Sequence, residues 1–212
     1  MNRSDLPSSA SRFIQCVTGV LRSDCLFGIP DANGRMSLTE SDNGGNFYTL
    51  RRVDLIDLPK ETLIVRAHCL NYNIIESNGC ASSLLSNIAD YRRVTDYIVI
   101  SDYNSKVCIL YVELKTSGRN NKYIAQLRCA YEQIRHLNRL IRSFDPVVGS
   151  YNLMHRFVKF EKLPLDKQST TLSNSDSFSL PIPSQINNLP NRAYKYYVNE
   201  GQVVPYCNLI LG

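Results

Sequence analysis

The chain predicts a mixed α/β fold of α+β character, a central mixed β-sheet flanked by helices. Three observations carry that expectation. Two runs rich in β-branched and aromatic residues, Asp96–Ile100 and Val107–Leu114, flank Asp102-Tyr-Asn-Ser, whose residues favour turns, and so make a hairpin. Apolar residues at helical spacing, Ile124, Leu127, Tyr131, Ile134, Leu137, Ile141 and Phe144, then mark the buried stripe of a long helix. Hydrophobic residues make up 43% of the sequence against 20% charged, the balance of a chain that buries a core. The 212 residues are expected to form one domain, with its core over about 47–163.

Each element has its own local reason. Ser8 to Arg22 repeats Phe13, Ile14, Val17, Val20 and Leu21 at helical intervals after serines that suit a cap. Asp24 to Asn46 carries the turn signals Gly-Ile-Pro-Asp-Ala-Asn-Gly and Asp-Asn-Gly-Gly-Asn and is expected to be irregular. Phe47–Leu58 and Glu61–Leu70 read as strands on either side of Pro59-Lys60. Asn71 to Tyr91 leads to the hairpin, with Ala81–Ala89 either a short helix or a covering loop. Beyond the hairpin, the polar turn Thr116-Ser-Gly-Arg-Asn-Asn caps a helix that starts near Lys122 and stops at Asp145-Pro146. Leu153–Leu163 reads as a strand with Arg156, Lys159 and Lys162 on an exposed basic side. Residues 166–190, rich in Ser, Thr, Asn and Gln with three prolines, are expected to form a long mobile loop. Ala193–Val198 and Gln202–Leu211 close the chain as a second hairpin.

Several function classes find no support. No apolar run has the length of a membrane span, and the N-terminal residues lack the apolar centre of a signal peptide. Seven scattered cysteines with no Cys-x-x-Cys pair suit a reducing cytoplasm, not a disulfide framework or a structural zinc site. His68, His136 and His155 lack metal-ligand spacing, and no phosphate-cradling or dinucleotide-binding glycine motif occurs. The net charge is +5, and the stretch from Arg119 to Arg142 holds an equal excess: Arg119, Lys122, Arg128, Arg135, Arg139 and Arg142 against Glu132. Such a concentration suits a polyanionic partner, and it also suits a solvated helix face.

The functional signal lies in the first hairpin. Glu113 and Lys115 end its second strand and, at a period of two, share a face. Asp96 opens its first strand. A turn centred on Asn104-Ser105 pairs residue 96 with residue 113, and a turn one residue earlier makes them diagonal neighbours. Either way the two carboxylates come within roughly 5–8 Å. Close carboxylates repel and raise one another's pKa unless a cation lies between them. An oxygen-only, partly open site suits Mg²⁺, and Lys115 can then aim its ammonium at a phosphate oxygen or an attacking water. The plainer reading is a surface hairpin whose charges solvate its ends.

Asp96 followed by Glu113-Leu114-Lys115 resembles the active-site signature of the PD-(D/E)XK nuclease superfamily, whose fold is restriction-endonuclease-like. The resemblance spans the hairpin and the following helix, about residues 91–142. It implies that Asp96 and Glu113 bind Mg²⁺ (or Mn²⁺), that the carbonyl of Leu114 supplies a third ligand, and that Lys115 orients or activates the water. It also implies a place for Gln126 near that water or the nucleic acid. Arg92, Arg93, Arg119, Lys122 and Arg128 are the nucleic-acid contacts it suggests, with Arg92 and Arg93 equally suited to a structural salt bridge. Some members draw a further glutamate from their first helix. That helix has none here, and Glu76 is an acid upstream of Asp96 that reads more readily as an ordinary loop residue. The implied activity is Mg²⁺-dependent phosphodiester hydrolysis, of DNA rather than RNA, with a protein partner or a second copy, in phage defence or DNA repair. The alternative is a catalytically inactive nuclease-fold module for nucleic-acid binding or complex assembly.

Overall fold

A computed structural model describes residues 9–21, 23–39, 50, 52–67, 95–115, 122–145, 151, 153–162, 184–185, 189 and 193–211. Its helices are α1 (Ser9–Val20), α2 (Lys122–Phe144) and α3 (Tyr206–Leu211). Its strands are β1 (Leu26–Gly28), β2 (Met36–Thr39), β3 (Arg52–Ile56), β4 (Thr62–Arg66), β5 (Tyr97–Tyr103), β6 (Lys106–Lys115), β7 (Leu153–Lys162), β8 (Ser184–Gln185), β9 (Ala193–Val198) and β10 (Gln202–Pro205). The fold is mixed α+β. A seven-stranded sheet runs β1-β4-β5-β6-β7-β9-β8, and a three-stranded sheet runs β10-β3-β2. In the larger sheet β1, β4, β5 and β6 pair antiparallel, whereas β6, β7 and β9 pair parallel. No helix among the described residues is long and apolar enough to cross a membrane.

Strand β6 shows why the larger sheet is central. It is buried on both faces from Val107 to Leu114, as a strand covered on both sides must be, and so reads as an almost unbroken apolar run. Val107, Ile109 and Tyr111 enter a core with α1 and α2, which contribute Phe13, Val17, Leu127, Ala130 and Ile134. Cys108, Leu110, Val112 and Leu114 enter a second core against β2, β3, β10 and α3, with Leu38, Val53, Leu55, Val204 and Leu209. The molecule is therefore layered as helices, large sheet, small sheet. Arg12 fastens the helix layer, donating from Nε and Nη2 to Asp145 Oδ2 at 3.0 and 2.8 Å.

The β5–β6 turn fixes the register that matters for the site. Asn104 and Ser105 have φ of 53° and 60°, the left-handed pair that a two-residue hairpin turn matching strand twist requires. Pairing then runs from Tyr103 opposite Lys106 to Tyr97 opposite Val112. The next step brings Asp96 opposite Glu113, the first of the two registers the sequence allowed.

Other expectations need correction. The segment expected to be irregular after Asp24 contains β1 and β2. Strand β3 leaves the central sheet for the small one, where it lies between β2 and β10. The closing hairpin does not form: β9 pairs with β7, β10 pairs parallel to β3, and Tyr206–Leu211 is helical. Phe144 falls outside the buried stripe of α2 at 86% exposure, because the helix ends there beyond the edge of its core. Lys159 is buried, not on an exposed basic side. The expectations for Asn71–Tyr91 and nearly all of 166–190 lie outside the described residues, save the short β8 and Leu189.

The small sheet has its own clamp. Asp54 of β3, 2% exposed, accepts from Arg52, Ser37 and Arg35, tying β3 to β2 and to the preceding turn. Burial alone would raise its carboxyl, but the hydrogen bonds from Arg52, Ser37 and Arg35 outweigh it and hold the group well below the usual carboxylate range.

Candidate active site

The helix-side face of the large sheet changes character toward the carboxyl ends of β6, β7 and β9. Register places Tyr111, Phe157 and Ala193 side by side, an apolar row of the core. Two residues further along, the row is Glu113, Lys159 and Lys195, and two further still it is Lys115, Glu161 and Tyr197. The period of two keeps all three rows on one face. Charge thus begins directly after the apolar row, at the carboxyl edge of parallel strands, where open α/β sheets usually hold ligands. The first turn of α2 borders this edge, for Lys159 Nζ lies 4.3 Å from the Tyr123 ring centroid.

Asp96 stands just before β5 and is partly exposed. Its Oδ2 accepts from the Leu114 N–H at 2.7 Å, and its backbone carbonyl accepts from Ala67 at 3.1 Å. The first contact aims the carboxylate across the hairpin at the end of β6. The N–H and C=O of one strand residue leave on the same side, so the Leu114 carbonyl also faces β5. Thr95, the residue before Asp96, is buried and donates to the Val112 carbonyl, which pins the hairpin at this point.

Glu113 is the unusual group. It is 0% exposed, and among the described residues its carboxylate oxygens lack a hydrogen bond of good geometry. Lys115 Nζ lies 2.7 Å from Oε1 as an ion pair, and with Thr95 it partly offsets the burial of the carboxylate. Burial, and then the charge of Asp96, push the Glu113 carboxyl up to about 8, with Lys115 acting in the opposite sense. A buried carboxylate this poorly satisfied calls for a proton or a cation. Two carboxylates facing each other across a hairpin, with a carbonyl on the same side, match the oxygen ligands Mg²⁺ takes, one or two carboxylates and otherwise water or phosphate. The residues fit such an ion. Among the described residues no group of three or more His, Cys, Asp or Glu side chains is placed to share a metal.

The structure brings together Asp96, Glu113, Leu114 and Lys115. Gln126 is half-buried in the second turn of α2 and, three residues beyond Tyr123, shares the side of the helix that meets Lys159. Arg128 is exposed on the same helix, and Lys122 opens it with a side chain outside the described part. Arg92, Arg93, Arg119 and Glu76 lie outside the described residues.

Sequence reasoning missed Lys159, Glu161, Lys195 and Tyr197. Lys159 is 3% exposed and donates to Glu161 Oε2 at 2.7 Å, and Lys195 Nζ stands 3.9 Å from the same oxygen. Lys195 also donates to the Tyr197 hydroxyl at 2.7 Å. One signal could have found them: in β7, Lys159 and Glu161 share the parity of core-facing Phe157. His155, by contrast, belongs to the core. It stacks on Tyr111, bonds its hydroxyl through Nδ1 at 3.0 Å, and burial brings its pKa down to about 4.

No protein-family model, curated protein or solved structure matches this chain.

Proposed function

We propose that the chain is a Mg²⁺-dependent nuclease of restriction-endonuclease-like fold that hydrolyses phosphodiester bonds in nucleic acid, DNA rather than RNA. One observation carries the reading: among the described residues Glu113 is fully buried with no well-formed hydrogen bond to its carboxylate, opposite Asp96 and ion-paired with Lys115. A fold gains nothing in stability from such a group, since apolar packing at the same place serves better. Its use is chemical. Asp96 and Glu113 would hold the ion, with the Leu114 carbonyl beside them. A divalent cation there would neutralise charge on the phosphate oxygens and lower the pKa of water.

The chain's own residues do the rest. Asp96 is held in place by the Leu114 N–H, so no reorganisation is needed when ligand arrives. Lys115, 35% exposed, reaches from the buried carboxylate to solvent and so can hold an attacking water by hydrogen bond. Gln126, on the bordering helix, is in reach of the same edge of the sheet. The mixed sheet and the helix that follows the acidic hairpin agree with the fold the resemblance implies. Sequence selection, in phage defence or DNA repair, would come from a protein partner or a second copy of the chain.

The test is cleavage of labelled single- and double-stranded DNA and RNA with Mg²⁺ or Mn²⁺ by wild type, Glu113→Gln and Lys115→Ala. The expected result is cutting by wild type, reduced by a factor of at least 10² in both variants and abolished by chelator. Equal cutting by all three overturns the assignment. Binding without cutting, equal in all three, points instead to an inactive nuclease-fold module.

A further inference from the structure

Beside the carboxylate pair, β7 and β9 build a second charged group whose parts are unequally satisfied. Glu161, 13% exposed in its side chain, is shared by two lysines. Lys159, almost fully buried, takes the close contact at 2.7 Å and rests on the Tyr123 ring. Lys195 is left at 3.9 Å from Glu161, beyond hydrogen-bond range, and its contact at 2.7 Å is with the Tyr197 hydroxyl. An ammonium has three donors, and this one spends one on Tyr197. Its side chain is 26% exposed, so its outer side meets solvent. The Tyr197 hydrogen bond and the charge of Glu161 hold its pKa above the ordinary lysine value, so it stays cationic.

Placement gives this cation a purpose. Glu113, Lys159 and Lys195 lie in one register row across β6, β7 and β9. Two strand spacings separate the first from the last, on the order of 10 Å. That span exceeds one phosphate group and suits the next phosphate of a chain. Lys159 is locked by Glu161 and Tyr123, whereas Lys195 meets the same carboxylate only at 3.9 Å and keeps an exposed side.

We propose that Lys195, steadied by Tyr197 and Glu161, is a subsite for the phosphate neighbouring the one that is cut, which makes the substrate a polynucleotide chain and not an isolated phosphodiester. The inference rests on the nuclease reading and deepens it. Lys195 is a positioning residue: it binds substrate remote from the reacting atoms and sets where the strand lies along β9. Tyr197 and Glu161 hold it there.

The experiment compares wild type, Lys195→Gln and Lys195→Arg on two substrates with Mn²⁺. One is bis(4-nitrophenyl) phosphate, which has a single phosphate, and the other is a labelled oligonucleotide. Oligonucleotide binding is also measured by anisotropy against salt, with Ca²⁺ in place of Mn²⁺. For Lys195→Gln the expected result is unchanged turnover of the small diester, a KM for the oligonucleotide raised about tenfold, and a salt slope reduced by about one. Lys195→Arg should restore most of the oligonucleotide KM. Equal losses on both substrates, or no loss on either, overturn the subsite while leaving the nuclease standing. A wild type that cuts neither substrate, yet binds the oligonucleotide through Lys195, overturns the nuclease and with it the subsite, and leaves Lys195 as a phosphate contact of a binding module. Absence of both cutting and Lys195-dependent binding removes both.

Discussion

Glu113 and His155 sit on neighbouring strands of the same sheet face, and their ionisation pulls the fold in opposite directions. The Glu113 carboxyl is raised from 4.5 to about 8 by burial and by Asp96. Between those values the folded chain holds a proton the unfolded chain has lost, so Glu113 makes stability fall as pH rises, levelling above 8. His155 is lowered from 6.5 to about 4 by burial, with Arg135 and Arg156 adding to the effect. Between those values the unfolded chain holds the extra proton, so His155 makes stability fall as pH drops, by about 3 kcal/mol at most. The two windows overlap from about 4.5 to 6.5 and largely cancel in the metal-free wild type. Urea midpoints across pH 4 to 9 should separate them. Glu113→Gln, a mimic of the protonated acid, should remove the fall toward pH 8 and expose the acid-side loss. His155→Phe, which keeps the aromatic stack, should flatten the acid side instead. Parallel profiles for wild type and both variants would sink this account.

Among the elements, the β5–β6 hairpin and α2 were legible because their signals are local. Period-two and period-3.6 patterns are written into consecutive residues, and Asn104-Ser105 names the turn that sets Asp96 opposite Glu113. That turn holds a serine at φ 60°, where a side chain is disfavoured and glycine is not. Ser105→Gly should therefore raise stability by about 1 kcal/mol in denaturant melts, and a loss would mean the turn is of another kind. The small sheet was not legible, since β3 could pair with any neighbour and its partners β2 and β10 come from distant parts of the chain. Nor was the lysine pair. Lys159 and Glu161 stand two residues apart in β7, but Lys195 meets that carboxylate only once β9 pairs with β7. Breaking that ion pair should show how buried it is. Glu161→Ala leaves Lys159 enclosed at 3% exposure and should cost about 3–5 kcal/mol. The double change Lys159→Met, Glu161→Leu should recover most of the loss, and a single variant as stable as wild type would show the pair to be idle.

At the scale of the whole molecule the site sits where three layers stop covering one another. The helix layer packs on the sheet face at Tyr111 and Phe157, the small sheet and α3 protect the other face, and the charged rows follow, with Glu113 and Lys159 still buried while Lys115 and Lys195 reach solvent. The core thereby holds Glu113 in a place where its charge is poorly satisfied, and folding stability and ligand binding become linked. A cation that binds the native site and not the unfolded chain stabilises by RT ln(1 + [L]/Kd), about 2.7 kcal/mol at a hundredfold excess over Kd. For a chain of 212 residues that corresponds to a Tm gain of about 5–10 °C. Ligation requires the ionised carboxylate, so the ion must displace the proton that burial and Asp96 keep on Glu113. The gain with millimolar Mg²⁺ or Mn²⁺ should therefore be larger at pH 8.5 than at pH 6, in contrast to the metal-free fold, which weakens toward pH 8. Scanning calorimetry at the two pH values, with and without metal, reads both trends at once. Glu113→Gln should lose the metal-dependent gain while folding at least as stably as wild type without metal. An equal gain in that variant would put the ion elsewhere on the molecule, and the hairpin carboxylates would then have no claim to it.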